Sequence, residues 1–253
     1  MSVFLLKVIA MGTMLCDHIG LKFFDDNAVM RNIGRFAFFI YAFLMAEGYI
    51  HMAKKPDRIK AHLVKLFALA AVSEIAYDLF DHDVWDYPGT QSVIPTLALG
   101  FAALILADLW RERCGNRFAA FAGELAVYGS AAYLSYAFRT EYKFAGVLLV
   151  VFFYYYLTYF GDSELPVRAL ALSGVFIAYF LVYFWSRSGF DGLSGLGRSA
   201  VRYLPWYVGS VLSIVPLALY NRRLGYHSRW FGVVYSWFYP AQFLLLYLAA
   251  KIL

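Results

Sequence analysis

Apolar runs of roughly twenty residues recur along almost the whole chain, separated by short polar connections. They cover approximately 2–22, 33–52, 60–81, 92–110, 118–138, 143–160, 166–185, 204–220 and 231–252. A helix needs about 20 such residues to cross the hydrocarbon of a bilayer. The pattern predicts an all-α fold, a polytopic transmembrane helical bundle of about nine spans (nine to ten). It would form a single integral membrane domain over residues 1–253. Composition agrees: 15% of residues are charged, against about 25% in a soluble domain. In so apolar a chain, a net charge of +5 reads as a topology signal, and no nucleic-acid partner is expected. Cys16 and Cys114 make neither a CxxC motif nor a disulfide framework, and no metal is expected. Polar Asp17 and His18 interrupt the place where a signal-peptide cleavage site would fall, so the first helix is expected to be retained.

Basic residues orient the bundle. Lys54, Lys55, Arg58 and Lys60 follow the second run, Arg111, Arg113 and Arg117 the fourth, and Arg222, Arg223 and Arg229 the eighth. With nine spans all three groups share one side, which the positive-inside rule assigns to the cytoplasm. The N-terminus is then inside and the C-terminus outside. Arg187, Arg198 and Arg202 fall outside, in or beside the longest connection, 186–203. Its Gly189, Gly192, Gly195 and Gly197 point to a flexible or re-entrant loop. There is no internal repeat of the inverted-transporter kind.

Ionisable residues within spans are costly and usually face a bundle interior or a wet cavity. Lys7 and His18 lie eleven residues apart, almost three whole turns, so they share one helix face about 16 Å apart along the axis. Glu47 and His51, Arg31 and Arg35, and Glu74 and Asp78 are i, i+4 neighbours. The two carboxylates of the last pair repel and call for a cation such as Arg35, either as a structural ion pair or as part of a site. Under the topology above, Asp17, His18, Arg31, Arg35, Glu74, Asp78 and Gln91 collect at the outer end of the bundle. Lys7, Glu47 and His51 collect at the inner end beside the Lys54–Arg58 loop. Two polar clusters joined by one helix face predict a cavity crossing the bilayer. Its inner, basic end suits a phosphorylated ligand. Its outer end holds a histidine beside acids, a general-base arrangement. His51 reads either as a ligand or as an interfacial residue. Asp108 and Glu124, near loop ends, are expected to reach water. The loops around Asp25–Asp26 and Asp81–Asp86 are expected to be solvated, and Tyr154–Tyr156 reads as a helix wall or interface rather than a site.

The same residues carry a family resemblance. Leu6-Lys7-Val8-Ile9-Ala10, then Met14, then Asp17-His18-Ile19-Gly20, resembles the opening of the TraX family. So does the stretch from Ile33-Gly34-Arg35 to Leu44, followed by Glu47-Gly48 and His51. Phe67-Ala68-Leu69, Ser73-Glu74-Ile75, Asp78-Leu79, Gln91, Thr96-Leu97, Leu99-Gly100 and Tyr220-Asn221 continue it. Tyr235-Ser236-Trp237-Phe238-Tyr239-Pro240 is similar to the family's last motif. The chain departs from the family at Phe39 and Ala76, where Pro is frequent, at Ser92, where Asn is frequent, and at Gln242, where the last motif usually has His.

The resemblance implies a membrane protein associated with acetylation of a pilin N-terminus during conjugation, distantly similar to other transmembrane acyltransferases. It implies acetyl-coenzyme A as a cytoplasmic donor substrate and His18 as the base. In this reading Asp17 orients or biases His18, or pairs instead with Arg35, and Arg35 holds Glu74, Asp78 or the acceptor. Lys7, Glu47, His51, Lys54, Lys55 and Arg58 bind the donor. Arg31, Gln91, Tyr235, Tyr239 and Gln242 meet an acceptor peptide or other small acceptor. The expected location is the bacterial inner membrane, with lipid as a partner. Two rival classes stand beside this one: a transporter or flippase with the same charges as a proton relay, and a non-catalytic assembly scaffold. The topology is open to direct test. A reporter fused after the C-terminus should be active only outside the cytoplasm, and cytoplasmic activity would overturn the nine-span count.

Overall fold

The computed structural model describes residues 1–189 and 191–252. Its described residues form a helical bundle without strands; Gln91 and Thr140 make one isolated bridge. The elements are α1 (Val3–Phe23), α2 (Ala28–Met52), α3 (Pro56–His82), α4 (Val93–Arg113), α5 (Arg117–Ala137), α6 (Lys143–Tyr159), α7 (Leu165–Arg187), α8 (Gly192–Tyr203), α9 (Val208–Val211), α10 (Ile214–Ala218) and α11 (Arg229–Ile252). Among them α1, α2, α4, α7 and α11 are long and apolar enough to cross a membrane. Helix α6 is apolar but only 17 residues long.

Local chemistry sets the boundaries. Asn27 and Asn116 accept backbone N–H groups in the first turns of α2 and α5, satisfying donors that a helix start leaves free. Pro56 and Pro166 sit in the first turns of α3 and α7, where a missing N–H costs nothing. Pro240 lies inside α11 and deletes the bond that would otherwise tie that turn to the Ser236 carbonyl.

Contacts between chain ends define the two poles of the bundle. At one pole, the start of the chain is joined to 221–224: Val3 N donates to the Arg223 carbonyl (2.9 Å) and Phe4 N to that of Leu224 (3.1 Å). At the other, Lys251 near the end of α11 meets Asp83 after α3 (2.8 Å), and Gln91 N donates to the Arg139 carbonyl (3.1 Å).

Two expectations are corrected. The stretch 204–220 is not one continuous helix. A 3-10 turn at Leu204–Trp206 and the short helices α9 and α10 replace it. Pro205 and Pro216 interrupt the hydrogen-bond ladder. The hydroxyls of Ser210 and Ser213 bond carbonyls three residues back, at 2.6 Å each, which favours tight turns over a regular helix. Gly209 lets this broken segment press against the Asn32 carbonyl of α2. The connection 186–203 is also not an irregular loop. Most of it is α8, and Gly189 and Gly192 supply the positive φ that turns the chain out of α7 and into α8. At 12 residues, α8 is too short to span.

Helices α1 and α2 approach each other closely at Gly34. A Cβ added at Gly34 would overlap the Asp17 side chain, so only glycine fits there. Gly34→Ala should therefore overpack the contact, a change that typically costs about 1–3 kcal/mol. Gly12, whose added Cβ would meet nothing within 4 Å, is the control. In detergent, Gly34→Ala should lower the thermal midpoint and Gly12→Ala should leave or raise it.

Candidate functional site

A cavity of about 490 Å³ opens among α1, α2, α3, α4 and α11 at the pole that holds the start of the chain. This is the size of a small-molecule site. Apolar residues form most of its wall, among them Leu44, Leu66, Leu69, Val93, Ile94 and Leu97. Its polar members include Lys7, Tyr41, Glu47, His51, His62, Lys65, Arg222, Tyr235, Ser236 and Tyr239. Lys7 lies 4.3 Å from the centre of the Tyr235 ring, and Lys65 donates to Ser236 Oγ (2.6 Å). Glu47 accepts from the Tyr220 hydroxyl and lies 3.1 Å from His51 Nδ1. Two lysines, an arginine and two histidines thus surround one carboxylate, and phosphate groups match that balance.

Sequence reasoning grouped Lys7, Glu47 and His51 as donor-binding residues, and the cavity holds all three; it gave Tyr235 and Tyr239 to the acceptor, whereas both line this same cavity. It missed His62, Lys65 and Arg222. Positions 62, 65, 66 and 69 follow helical spacing on one stripe of α3, and that stripe is the signal that would have found two of them. Lys54, Lys55 and Arg58 do not line the cavity; they are exposed on the neighbouring connection and first turn of α3.

His18 lies beyond the cavity rather than in its wall. Its ring packs against Phe80 of α3 (5.8 Å between centroids) and against Phe243 (4.4 Å) and Tyr239 (6.4 Å) of α11. Tyr239 also lines the cavity and accepts from Val93 N (3.3 Å), so it stands between the cavity and the imidazole. The expected continuous passage is therefore closed at Tyr239. Gln242 is buried beside His18, within interaction distance of it. Neither Gln242 amide atom makes a hydrogen bond of good geometry, and His18 Nδ1 is likewise buried without one. Buried polar atoms without a partner in an apolar setting are costly unless something else uses them.

Asp17 does not orient His18. Adjacent residues on a helix point about 100° apart, and Asp17 faces α2, where Arg31 holds it at 2.7 Å. Arg31 also reaches Asp26 (2.9 Å). Arg35 meets neither Glu74 nor Asp78. It lies 3.6 Å from Glu141, donates to the Tyr142 hydroxyl (3.2 Å) and sits 5.2 Å from the centre of the Tyr207 ring. Burial pushes the Glu141 carboxyl above its ordinary value, and the Arg35 guanidinium opposes the shift. Glu74 and Asp78 find backbone donors instead of a cation. Glu74 accepts from Ser92 N (2.8 Å) and Ser92 Oγ (2.9 Å) at the start of α4, and Asp78 accepts from Tyr87 N (2.9 Å). Gln91, next to Ser92, lies at the same pole.

Asp108 and Glu124 are held by neighbouring side chains: Glu124 is 9% exposed, whereas Asp108 keeps 24% of its side chain accessible. Arg111 grips Glu124 through two bonds (2.6 and 2.8 Å) and meets Asp108 (2.9 Å). Tyr49 and Tyr154 donate to Asp108, and Tyr155 donates to Glu124 (2.9 Å). Tyr154 and Tyr155 are thus part of a polar network, while Tyr156 packs in the core against Phe43 as a wall residue.

Fold and site together define a class: helical membrane proteins with a cationic cavity at one pole and a buried histidine beyond it. Within that class, the chain belongs to the TraX family, whose model, described as TraX protein, matches residues 2–250. No curated protein and no solved structure matches the chain.

The Asp17–Arg31 pair generates a stability prediction. Their side chains are 12% and 16% exposed. Removing one member of a buried pair strands the other and typically costs about 3–5 kcal/mol. Arg31→Ala should lower the unfolding midpoint sharply, and adding Asp17→Asn should recover part of the loss. Additive losses in this double-mutant cycle would show that the pair is not coupled.

Proposed function

We propose that this protein is a membrane-embedded acyltransferase that moves an acetyl group from cytoplasmic acetyl-coenzyme A to an amine or hydroxyl, such as a pilin N-terminus, at the opposite face. The observation that carries the reading is the cationic cavity whose far wall, Tyr239, abuts His18. Family membership supports the same chemistry. The three basic groups Lys54–Arg58, Arg111–Arg117 and Arg222–Arg229 flank helix ends at the cavity's pole, which supports a cytoplasmic N-terminus in the bacterial inner membrane.

In this reading Lys7, Lys65 and Arg222 bind donor phosphates near the mouth. Lys54, Lys55 and Arg58 act as an outer field that attracts the donor. The pantetheine arm extends along the α1 face toward His18, about 16 Å from Lys7 along the axis. Tyr239 must swing aside for the thioester to reach the imidazole. The acceptor nitrogen then attacks the thioester carbonyl, and His18 takes the proton that this nitrogen loses. The carbon–sulfur bond breaks, and the proton leaves with the coenzyme A thiol. Arg31, Arg35, Glu74, Asp78 and Gln91 frame the acceptor side. Asp17 holds Arg31 and so acts as a positioning residue. Gln242, adjacent to His18, is placed to bond the acceptor or the imidazole.

The test is thiol release from acetyl-coenzyme A by purified protein with an amine-bearing acceptor peptide. His18→Ala should slow release about 10²–10⁴-fold, the usual loss for a general base, while donor binding persists. Lys7→Ala with Lys65→Ala should weaken donor binding in calorimetry. Unchanged release in His18→Ala would overturn the catalytic role, and donor binding unchanged in the double variant would overturn the cavity's.

A further inference from the structure

The arginines at the end of α7 and on α8 have no part in the reading above, yet they enclose a hollow of their own. It measures about 220 Å³ and is walled by Arg187, Arg198, Arg202, Ser188, Ser199 and Tyr203. That is several times the ~30 Å³ a water molecule takes in the liquid. It lies at the pole away from the large cavity. Tyr207, which follows α8, bonds the Tyr183 hydroxyl of α7 (2.9 Å) and lies under Arg35.

Helix α8 divides cleanly into two faces. At 100° per residue, Leu193, Ala200, Val201 and Leu204 fall on one arc, and Gly195, Arg198, Ser199 and Arg202 on the opposite one. Leu193 and Val201 are 87% and 81% exposed, whereas Ser199 and Gly195 are buried against α7. A short helix with bare apolar side chains on one face and arginines on the other suits the interface plane of a bilayer. Its apolar arc enters the acyl layer, and the hollow then stands at headgroup depth.

The charges in the hollow are unbalanced. Arg198 pairs with Asp191 at 2.7 Å, with both side chains about two-thirds exposed, so the pair is weak. Arg187 packs over the Tyr183 and Tyr203 rings (5.7 and 4.8 Å), and Arg202 over Tyr203 (5.8 Å). Neither makes an ion pair among the described residues. Three guanidinium groups therefore face one carboxylate. The ring contacts hold two of them in place without neutralising them, leaving their N–H groups for an oxyanion. Phosphate oxygens are the acceptors that arginine forks match, and guanidinium–phosphate bonds are among the stronger charge-assisted ones.

We infer that this hollow binds the phosphodiester of an anionic phospholipid, with the acyl chains lying along the apolar arc of α8. Free phosphate offers the same oxygens, but it makes no use of Leu193 and Val201. The site would anchor α8 and, through Tyr183 and Tyr207, stiffen the wall behind Arg35. The inference does not depend on acyl transfer and holds or fails separately from it.

The experiment is native mass spectrometry of the full chain released from detergent, titrated with phosphatidylglycerol, phosphatidylcholine and inorganic phosphate. Phosphatidylglycerol should bind at least tenfold more tightly than phosphatidylcholine, and inorganic phosphate should not compete at equal concentration. Arg187→Gln with Arg198→Gln and Arg202→Gln should abolish the preference. The matching triple lysine variant, which keeps charge but loses the planar forks, should retain part of it and control for folding. A wild-type preference that survives the glutamine substitutions would overturn the site. Equal competition by inorganic phosphate, or by a soluble acidic peptide, would overturn the lipid as its ligand.

Discussion

Everything at the centre of the bundle depends on how α1 sits against α2. A carboxylate within hydrocarbon needs a partner, because no water is there to solvate it. Asp17 finds one in Arg31, and the absence of a side chain at Gly34 gives it room. That contact fixes the rotation of α1 about its axis. Once Asp17 faces α2, the next residue is turned toward α3 and α11, which places His18 among Phe80, Tyr239 and Phe243. The same rotation brings Lys7, three turns earlier, to the Tyr235 ring and the cavity.

Tyrosine is the other recurring device. The chain has 21 of them, and many meet a buried charge. Tyr220 bonds Glu47, Tyr49 and Tyr154 bond Asp108, Tyr155 bonds Glu124, and Tyr142 bonds Arg35. A phenol brings a hydroxyl on a large apolar body, so it satisfies a charge without adding another and still packs as a ring. The carboxylates therefore stay in the bundle without a matching number of cations. The exceptions gain meaning against this background: His18 and Gln242 are among the few buried polar groups with atoms left unpaired, and they stand side by side. Gln242 is also where the family's last motif usually carries His, so the departure falls on a neighbour of the candidate base.

The ordering of cavity, Tyr239 and His18 gives the site a direction. Pro240 weakens the helical ladder next to Tyr239, and Ser236, one turn earlier, is already engaged by Lys65 across the cavity. The wall that separates donor space from imidazole is thus built on a proline-interrupted turn of α11. This is the part of that helix least constrained by its own backbone.

Helical periodicity and apolar run length were legible from residues alone, because a bilayer allows few alternatives to a helix and imposes its length. For the same reason Lys7 and His18 were correctly placed on one face. The i, i+4 pairing of Glu47 with His51 needed only helix geometry, and so did the collection of polar residues at two poles. Partner choice was not legible. Glu74 and Asp78 take backbone donors, Arg35 takes Glu141 and Tyr142, and Asp108 and Glu124 take tyrosines and Arg111. Apart from the Asp108–Arg111 contact within α4, each of those partners lies on another segment, brought close by the rotation and depth of packed helices. Such contacts join residues from 9 to 107 positions apart, a separation that helical period does not encode. The sequence by itself determined that the chain must be a helical membrane bundle with charges held inside it. Only the tertiary structure decided which charge meets which group, because that choice belongs to the facing surfaces of different helices.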